Sequence, residues 1–168
     1  KPFYDRLVKT KETDKGIIYN FKPVDKKFVL IQDNLTIPEK GKVYSFNEAN
    51  RNKWMDTRYQ KIIDLLLEKG YSARWVGSMV ADGHRTLLKG GFFSYPANSS
   101  NTSGKIRLLY EAYPFAFIFE AAGGKATNGD VPLLDIKYPK HNCHHKTPII
   151  LCSPYEMLYF HNLKDESE

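Results

Sequence analysis

Glycine stands at three places where an apolar, helix-spaced segment gives way to an extended one: Gly70, Gly90-Gly91 and Gly123-Gly124. A glycine just past a helix supplies the left-handed residue that ends it, so each break predicts a helix followed by a strand. Before the first, Tyr59, Ile62, Ile63, Leu66 and Leu67 recur at three- and four-residue spacings, with Asp56 as the predicted N-cap. Residues 79–89 are predicted helical up to the second break, and 108–122 up to the third. The last of these is apolar nearly all round, which predicts burial, and Pro114 marks a kink or a start inside it. A final helix is predicted over 154–163, capped by Ser153. Strands are predicted over 16–21, 28–31, 42–46, 73–79, 91–96, 133–136 and 147–152, with a hairpin turn at Asp25-Lys26-Lys27 and a polar loop over 97–104. This alternation predicts an α/β fold, a layered sheet flanked by helices.

With 168 residues the chain can form one domain with a proper core. No repeat or linker divides 16–168, whereas 1–15 lacks periodicity and is expected to be an arm or a poorly fixed strand. A hydrophobic fraction of 42% with 14% aromatic residues excludes a disordered class. No apolar run reaches the roughly 18 residues of a membrane span, and the polar, charged N-terminus predicts no signal peptide. Two cysteines, Cys143 and Cys152, are too few for a disulfide framework, so a reduced, cytoplasmic chain is expected. The formal charge of +6 favours an anionic partner. The basic residues are spread along the chain without interleaved aromatics, so nucleic acid is not the expected one, and neither is a membrane.

Four places could carry chemistry. Residues 73–79 read as a strand entering a helix through Gly77-Ser78, a corner whose free N–H groups suit an anion or serve as an ordinary tight turn. Lys105 and Arg107 alternate in an extended segment and point the same way, able to grip a phosphate or simply to be solvated. Position 99 is serine and position 106 isoleucine, so this is not a Walker A loop. Glu111 sits on the apolar helix and needs a cation there, either a metal or Lys105 or Arg107; Glu120 is a weaker candidate on the same ground. His141-Asn142-Cys143-His144-His145 offers zinc-type ligands but lacks a second cluster to complete four, which favours a surface loop.

Taken together, the ordered blocks GKVYSFNE (41–48), ARWVGSMVADGHR (73–85), GGFFSYPAN (90–98), GKIRLLYE (104–111) and AAGGKA (121–126) resemble the C-terminal half of class I fructose-1,6-bisphosphatases. The resemblance runs from about residue 16 to the last helix and implies a sugar-phosphatase type C-terminal domain over 16–168. It implies hydrolysis of the 1-phosphate of fructose 1,6-bisphosphate, with magnesium, to fructose 6-phosphate in gluconeogenesis. By this resemblance Asn47, Tyr95 and Lys105 would hold the 6-phosphate, and Arg74 would do so across a subunit interface of a homo-oligomer. Gly77, Ser78 and Met79 would line the sugar, Arg107 would lie near the 1-phosphate, and Glu111 would be a metal ligand.

Three positions depart from the family's pattern. Asn50 and Trp75 stand where tyrosines usually donate to the 6-phosphate, and Ser100 stands where the loop often carries a lysine. Weaker 6-phosphate binding is therefore expected, because an amide or indole donor reaches differently from a phenol. The D-P-x-D-G-S-type segment that holds most of the family's metal ligands is absent from these 168 residues. The chain alone is thus expected to be catalytically incomplete and to need an N-terminal half of the same enzyme. The alternatives are a non-catalytic sugar-phosphate sensor and an enzyme acting on sedoheptulose bisphosphate.

Overall fold

The computed structural model of the chain describes residues 6–10, 16–22, 26–139 and 141–164. In chain order the elements are β1 (Arg6–Thr10), β2 (Gly16–Lys22), β3 (Lys27–Leu35), β4 (Val43–Ser45), α1 (Arg58–Glu68), β5 (Ser72–Ala73), α2 (Met79–Lys89), β6 (Phe92–Tyr95), β7 (Ile106–Arg107), α3 (Tyr113–Ala121), β8 (Lys125–Thr127), β9 (Lys146–Thr147), β10 (Ile149–Cys152) and α4 (Pro154–His161). A mixed five-stranded sheet, ordered β5-β4-β6-β10-β8, forms the centre. Strands β5, β4 and β6 run parallel, and β10 runs antiparallel to both β6 and β8.

Each face of this sheet buries its own apolar layer, because successive strand residues point to opposite sides. Phe92, Ile150 and Cys152 join Tyr44, Phe46 and the α1 residues Tyr59, Ile62, Ile63 and Leu66, closed off by Met157 and Phe160 of α4. Phe93, Ile149 and Leu151 face the other way, onto Leu87 of α2 and Ala116 and Phe119 of α3. The result is the expected layered sheet flanked by helices. Of the apolar set that marks α1, only Leu67 remains exposed.

Several local expectations need correcting. The predicted helix over 108–122 divides at its proline. Residues Leu108–Ala112 form a π-helical turn, and α3 starts at Tyr113, with Pro114 at its second position. The Tyr113 N–H reaches back five residues to the Leu108 carbonyl, and Pro114 has no N–H to continue the earlier spacing. The predicted strand over 133–136 is a short 3-10 turn, Leu133–Asp135, in which only Leu133 is buried. The predicted strand over 73–79 ends at Ala73, and an irregular turn leads from there into α2. The N-cap of α1 is Thr57 rather than Asp56, although the Asp56 carboxylate, one residue earlier, accepts the Arg58 N–H at 2.8 Å.

Strands β1, β2 and β3 form a separate antiparallel sheet. Thr10 pairs with Gly16, so part of the expected N-terminal arm is a strand. Lys22 pairs with Lys27 across the expected hairpin, of which residues 23–25 lie outside the described residues.

Candidate functional site

The parallel strands determine where the site lies. In open α/β sheets ligands bind beyond the carboxyl ends of the strands. Tyr44 pairs with Ala73 on β5 and with Phe92 on β6, so the three strands point their carboxyl ends the same way, with β6 reaching furthest, to Tyr95. Asn47 follows β4, Arg74 and Trp75 follow β5, and Tyr95 closes β6. Residues nearly fifty positions apart in the chain thus share one edge. Asn47 and Asn50 sit in a 3-10 turn, Glu48–Lys53 with Asn47 as its N-cap, closed by the Asn50 N–H donating to the Asn47 carbonyl at 3.0 Å.

Trp75 lies over the end of β6. Its indole stacks on buried Phe93 with centroids 6.4 Å apart and meets the Tyr95 ring at 6.0 Å. The Lys105 ammonium stands 3.5 Å from the Tyr95 hydroxyl and 5.6 Å from the centre of its ring. Lys105 is brought there by Gly104, whose backbone is left-handed (φ +80°) and packed so closely that a β-carbon would fall 2.3 Å from Pro148 N. The loop before it is pinned by buried Asn98, whose side-chain oxygen accepts the N–H groups of Ser100 and Asn101.

Of the two readings of the Gly77-Ser78 corner, the inward-turned amides of Val76 and Gly77 match the tight turn. The N–H groups of Val76 and Gly77 donate inward, at 3.1 Å, to the carboxylate of fully buried Asp82, and so are not offered to an anion. Gly77 itself takes φ +83°, which turns the chain into α2. Arg85 pairs with Asp82 and donates at 2.8 Å to both the Ser45 hydroxyl and the Arg74 carbonyl. Asp82, Arg85 and Ser45 were given no role from the sequence, where an acidic residue one turn into a helix looks like an ordinary dipole partner. Arg74 is exposed and, among the described residues, donates to its own neighbour, the Ala73 carbonyl at 2.7 Å.

Ile106 is buried between Lys105 and Arg107, so both cations face outward as expected. Glu111 occupies the π-helical turn rather than a regular helix. Its carboxylate accepts the Arg107 N–H at 2.7 Å and lies 3.5 Å from the Arg107 guanidinium. Glu120 lies beyond this turn, exposed near the end of α3, and desolvation together with the Asp135 charge raises its carboxyl above the usual range. Among the described residues no group of three His, Cys, Asp or Glu side chains could hold a metal ion. Glu111 can therefore supply one oxygen to a metal, and this chain's described residues do not complete a site.

The same finding leaves the zinc reading of 141–145 without a ligand set. That segment nevertheless packs beside Glu111. His145 accepts the Leu108 N–H at 2.7 Å through its carbonyl, and His144 Nδ1 lies 2.9 Å from the Tyr110 hydroxyl. Only the antiparallel pairing of β7 with β9 brings it there, which no local sequence signal records.

Residues 37–164 match the fructose-1-6-bisphosphatase C-terminal domain family. A class 1 fructose-1,6-bisphosphatase of Persephonella marina is 49% identical over 139 residues, covering 83% of this chain and 43% of that protein. A chloroplastic fructose-1,6-bisphosphatase of Pisum sativum is 44% identical over 149 residues, covering 85% of this chain and 36% of that one. The crystal structure of Leishmania major fructose-1,6-bisphosphatase in holo form superposes with a TM-score of 0.83 at 37% identity, covering 91% of this chain and 49% of that one. The chain spans less than half the length of these relatives.

Proposed function

We propose, given that this chain belongs to the fructose-1,6-bisphosphatase family and forms its C-terminal domain, that it is the sugar-phosphate-binding half of a phosphatase acting on fructose 1,6-bisphosphate. The observation that supports this most is the shared edge of β5, β4 and β6. There Asn47, Trp75 and Tyr95 stand at the carboxyl ends of the three strands, with the Lys105 ammonium against the Tyr95 hydroxyl. A cation beside a phenol donor, with amide and indole donors on the neighbouring strand ends, suits a phosphate monoester.

In this reading Lys105, Tyr95, Asn47 and Asn50 take the 6-phosphate, and Gly77, Ser78 and Met79 bound the sugar. Energy from that remote phosphate orients the reacting one. Arg107 extends from the same side toward the 1-phosphate, and Glu111 holds its N–H and guanidinium in place. Glu111 would be one ligand of a magnesium site whose other ligands lie outside this chain. Magnesium bound there would neutralise phosphate charge and lower the pKa of the attacking water. Exposed Arg74 fits a role in a neighbouring subunit's site in a homo-oligomer. A cytoplasmic place in gluconeogenesis belongs to this proposal; among the described residues no helix is long and apolar enough to cross a membrane.

The test is Lys105→Met in the intact enzyme that carries this chain. Loss of a charge-assisted contact should raise KM for fructose 1,6-bisphosphate roughly 10- to 100-fold, with kcat nearly unchanged. An unchanged KM would refute the assignment. Tight fructose 6-phosphate binding without any phosphatase activity in the intact protein would instead favour a sensor.

A further inference from the structure

We infer that Asp82 and Arg85 are positioning residues that lock the two walls of the sugar-phosphate edge together; this rests on the site reading above. One wall is the turn after β5, and the other is the end of β4. Asp82 is fully buried and receives the N–H groups of Val76 and Gly77, which fixes the turn carrying Trp75 and Ser78. Its Arg85 partner donates from a single nitrogen, Nη2, to the Arg74 carbonyl in that turn and to the Ser45 hydroxyl, two residues before Asn47. One ion pair therefore spans β5, β4 and α2 behind the proposed ligand edge, and neither partner has to touch the ligand.

The pair also solves a charge problem. A carboxylate directly behind a phosphate-binding turn would repel the ligand across a low-dielectric layer. Arg85 neutralises it in place, so the turn can meet an anion without an uncompensated negative charge at its back. Among the described residues the buried Arg85 Nε has no hydrogen-bond partner, so the guanidinium is held through Nη2. Asp82→Asn keeps the shape but removes the charge, leaving a guanidinium without its counter-ion. Arg85→Lys keeps the charge, yet its ammonium ends one bond short of the Nη2 position from which all three acceptors are reached.

The experiment compares intact wild-type enzyme with Asp82→Asn, Arg85→Gln and Arg85→Lys. Arg58→Ala serves as a control that breaks a different ion-pair group, the one joining Asp56 and Asp130. Three quantities are read: KM and kcat for fructose 1,6-bisphosphate, thermal midpoint, and amide exchange at Val76 and Gly77. Asp82→Asn and Arg85→Gln should raise KM about 10-fold with kcat within about 3-fold, and should speed exchange at both amides about 10-fold. Arg85→Lys should fall between them and wild type. Arg58→Ala should lower the midpoint without moving KM or those two amides. If Asp82→Asn does not fold, partly exposed Arg85 carries the test through its two variants. Wild-type KM and exchange in the Arg85 variants, or the same changes in Arg58→Ala, would overturn the inference and leave the site reading standing. A wild-type enzyme that neither binds nor hydrolyses the sugar phosphate would overturn both.

Discussion

Phe92 and Phe93 offer a sharp separation of core stability from site geometry. They are adjacent on β6, both fully buried, and face opposite layers. Replacing either by leucine removes about three carbon groups of apolar burial, roughly 2 kcal/mol. The aromatic contacts then differ. Among the described residues Phe92 stacks on Phe46 at 5.5 Å and meets Phe160 at 5.9 Å, whereas Phe93 has one such partner, Trp75 at 6.4 Å. At about 0.5–1.5 kcal/mol per pair, Phe92→Leu should cost roughly 3–5 kcal/mol in all and Phe93→Leu roughly 2.5–3.5 kcal/mol. Binding should follow the opposite order. Phe93 is the floor under Trp75, and Phe93→Leu lets the indole settle away from Tyr95. Fructose 6-phosphate affinity, measured by calorimetry on the intact enzyme, should fall about 3- to 10-fold for Phe93→Leu and stay unchanged for Phe92→Leu. Urea denaturation of both variants supplies the stability order. Affinity losses that track stability, with Phe92→Leu the weaker binder, would refute the claim that Phe93 supports Trp75 at the site.

Glu111→Gln keeps an acceptor for the Arg107 N–H but removes the charge; the intact enzyme should need at least 10-fold more magnesium for half-maximal rate, and an unaltered magnesium curve would remove Glu111 from the metal site. Trp75→Tyr should lower KM by restoring a phenolic donor beside Tyr95, and an equal or higher KM would count against that. Burial raises the phenols of Tyr44, to about 12 with help from a hydrogen bond to Glu48, and those of Tyr59 and Tyr71 further. Their folded pKa values exceed the unfolded one near 10, so their contribution is intact below pH 10 and is lost as pH rises above it, by about 1.4 kcal/mol per pH unit for each. Denaturation midpoints measured from pH 8 to 11.5 should be flat up to about pH 10 and then fall; midpoints that stay flat to pH 11.5 would contradict the burial.

The helices were legible because their signals are local. Gly70, Gly90 and Gly123 take the positive φ that ends a helix, and the apolar spacing of α1 marks its buried face. Short apolar runs were less informative. Leu133-Leu134-Asp135-Ile136 suits a strand or a tight turn equally, and the backbone after Pro132 takes the turn. At the site, the residue types were readable but their assembly was not. That Asn47, Trp75 and Tyr95 share an edge depends on the register of β5, β4 and β6, which is a property of long-range pairing. Nor does an aspartate in the first turns of a helix reveal whether it faces solvent or bends back. Asp82 bends back, and so closes the amides that Gly77 and its neighbour would otherwise present.

The two ends of the proposed site differ in what holds them. The sugar-phosphate end is built from strand ends over a shared core, with Phe93 beneath Trp75, Asn98 pinning the loop, and the Asp82–Arg85 pair joining two strands. Every one of those supports is internal to this chain. The reacting end is not closed in the same way. Glu111 stands on a π-helical turn whose neighbours Leu109 and Tyr110 are 39% and 48% exposed, and Phe117 on the next helix is 55% exposed. Large apolar side chains open to solvent on consecutive turns are costly unless something covers them. A chain with this division should bind the remote phosphate by itself yet lack the chemistry. The separated 168-residue chain should therefore give a calorimetric signal with fructose 6-phosphate and no magnesium-dependent phosphate release from fructose 1,6-bisphosphate. Release from the separated chain would show that the reacting end is complete without a second half, and the asymmetry between the two ends would then have no functional meaning.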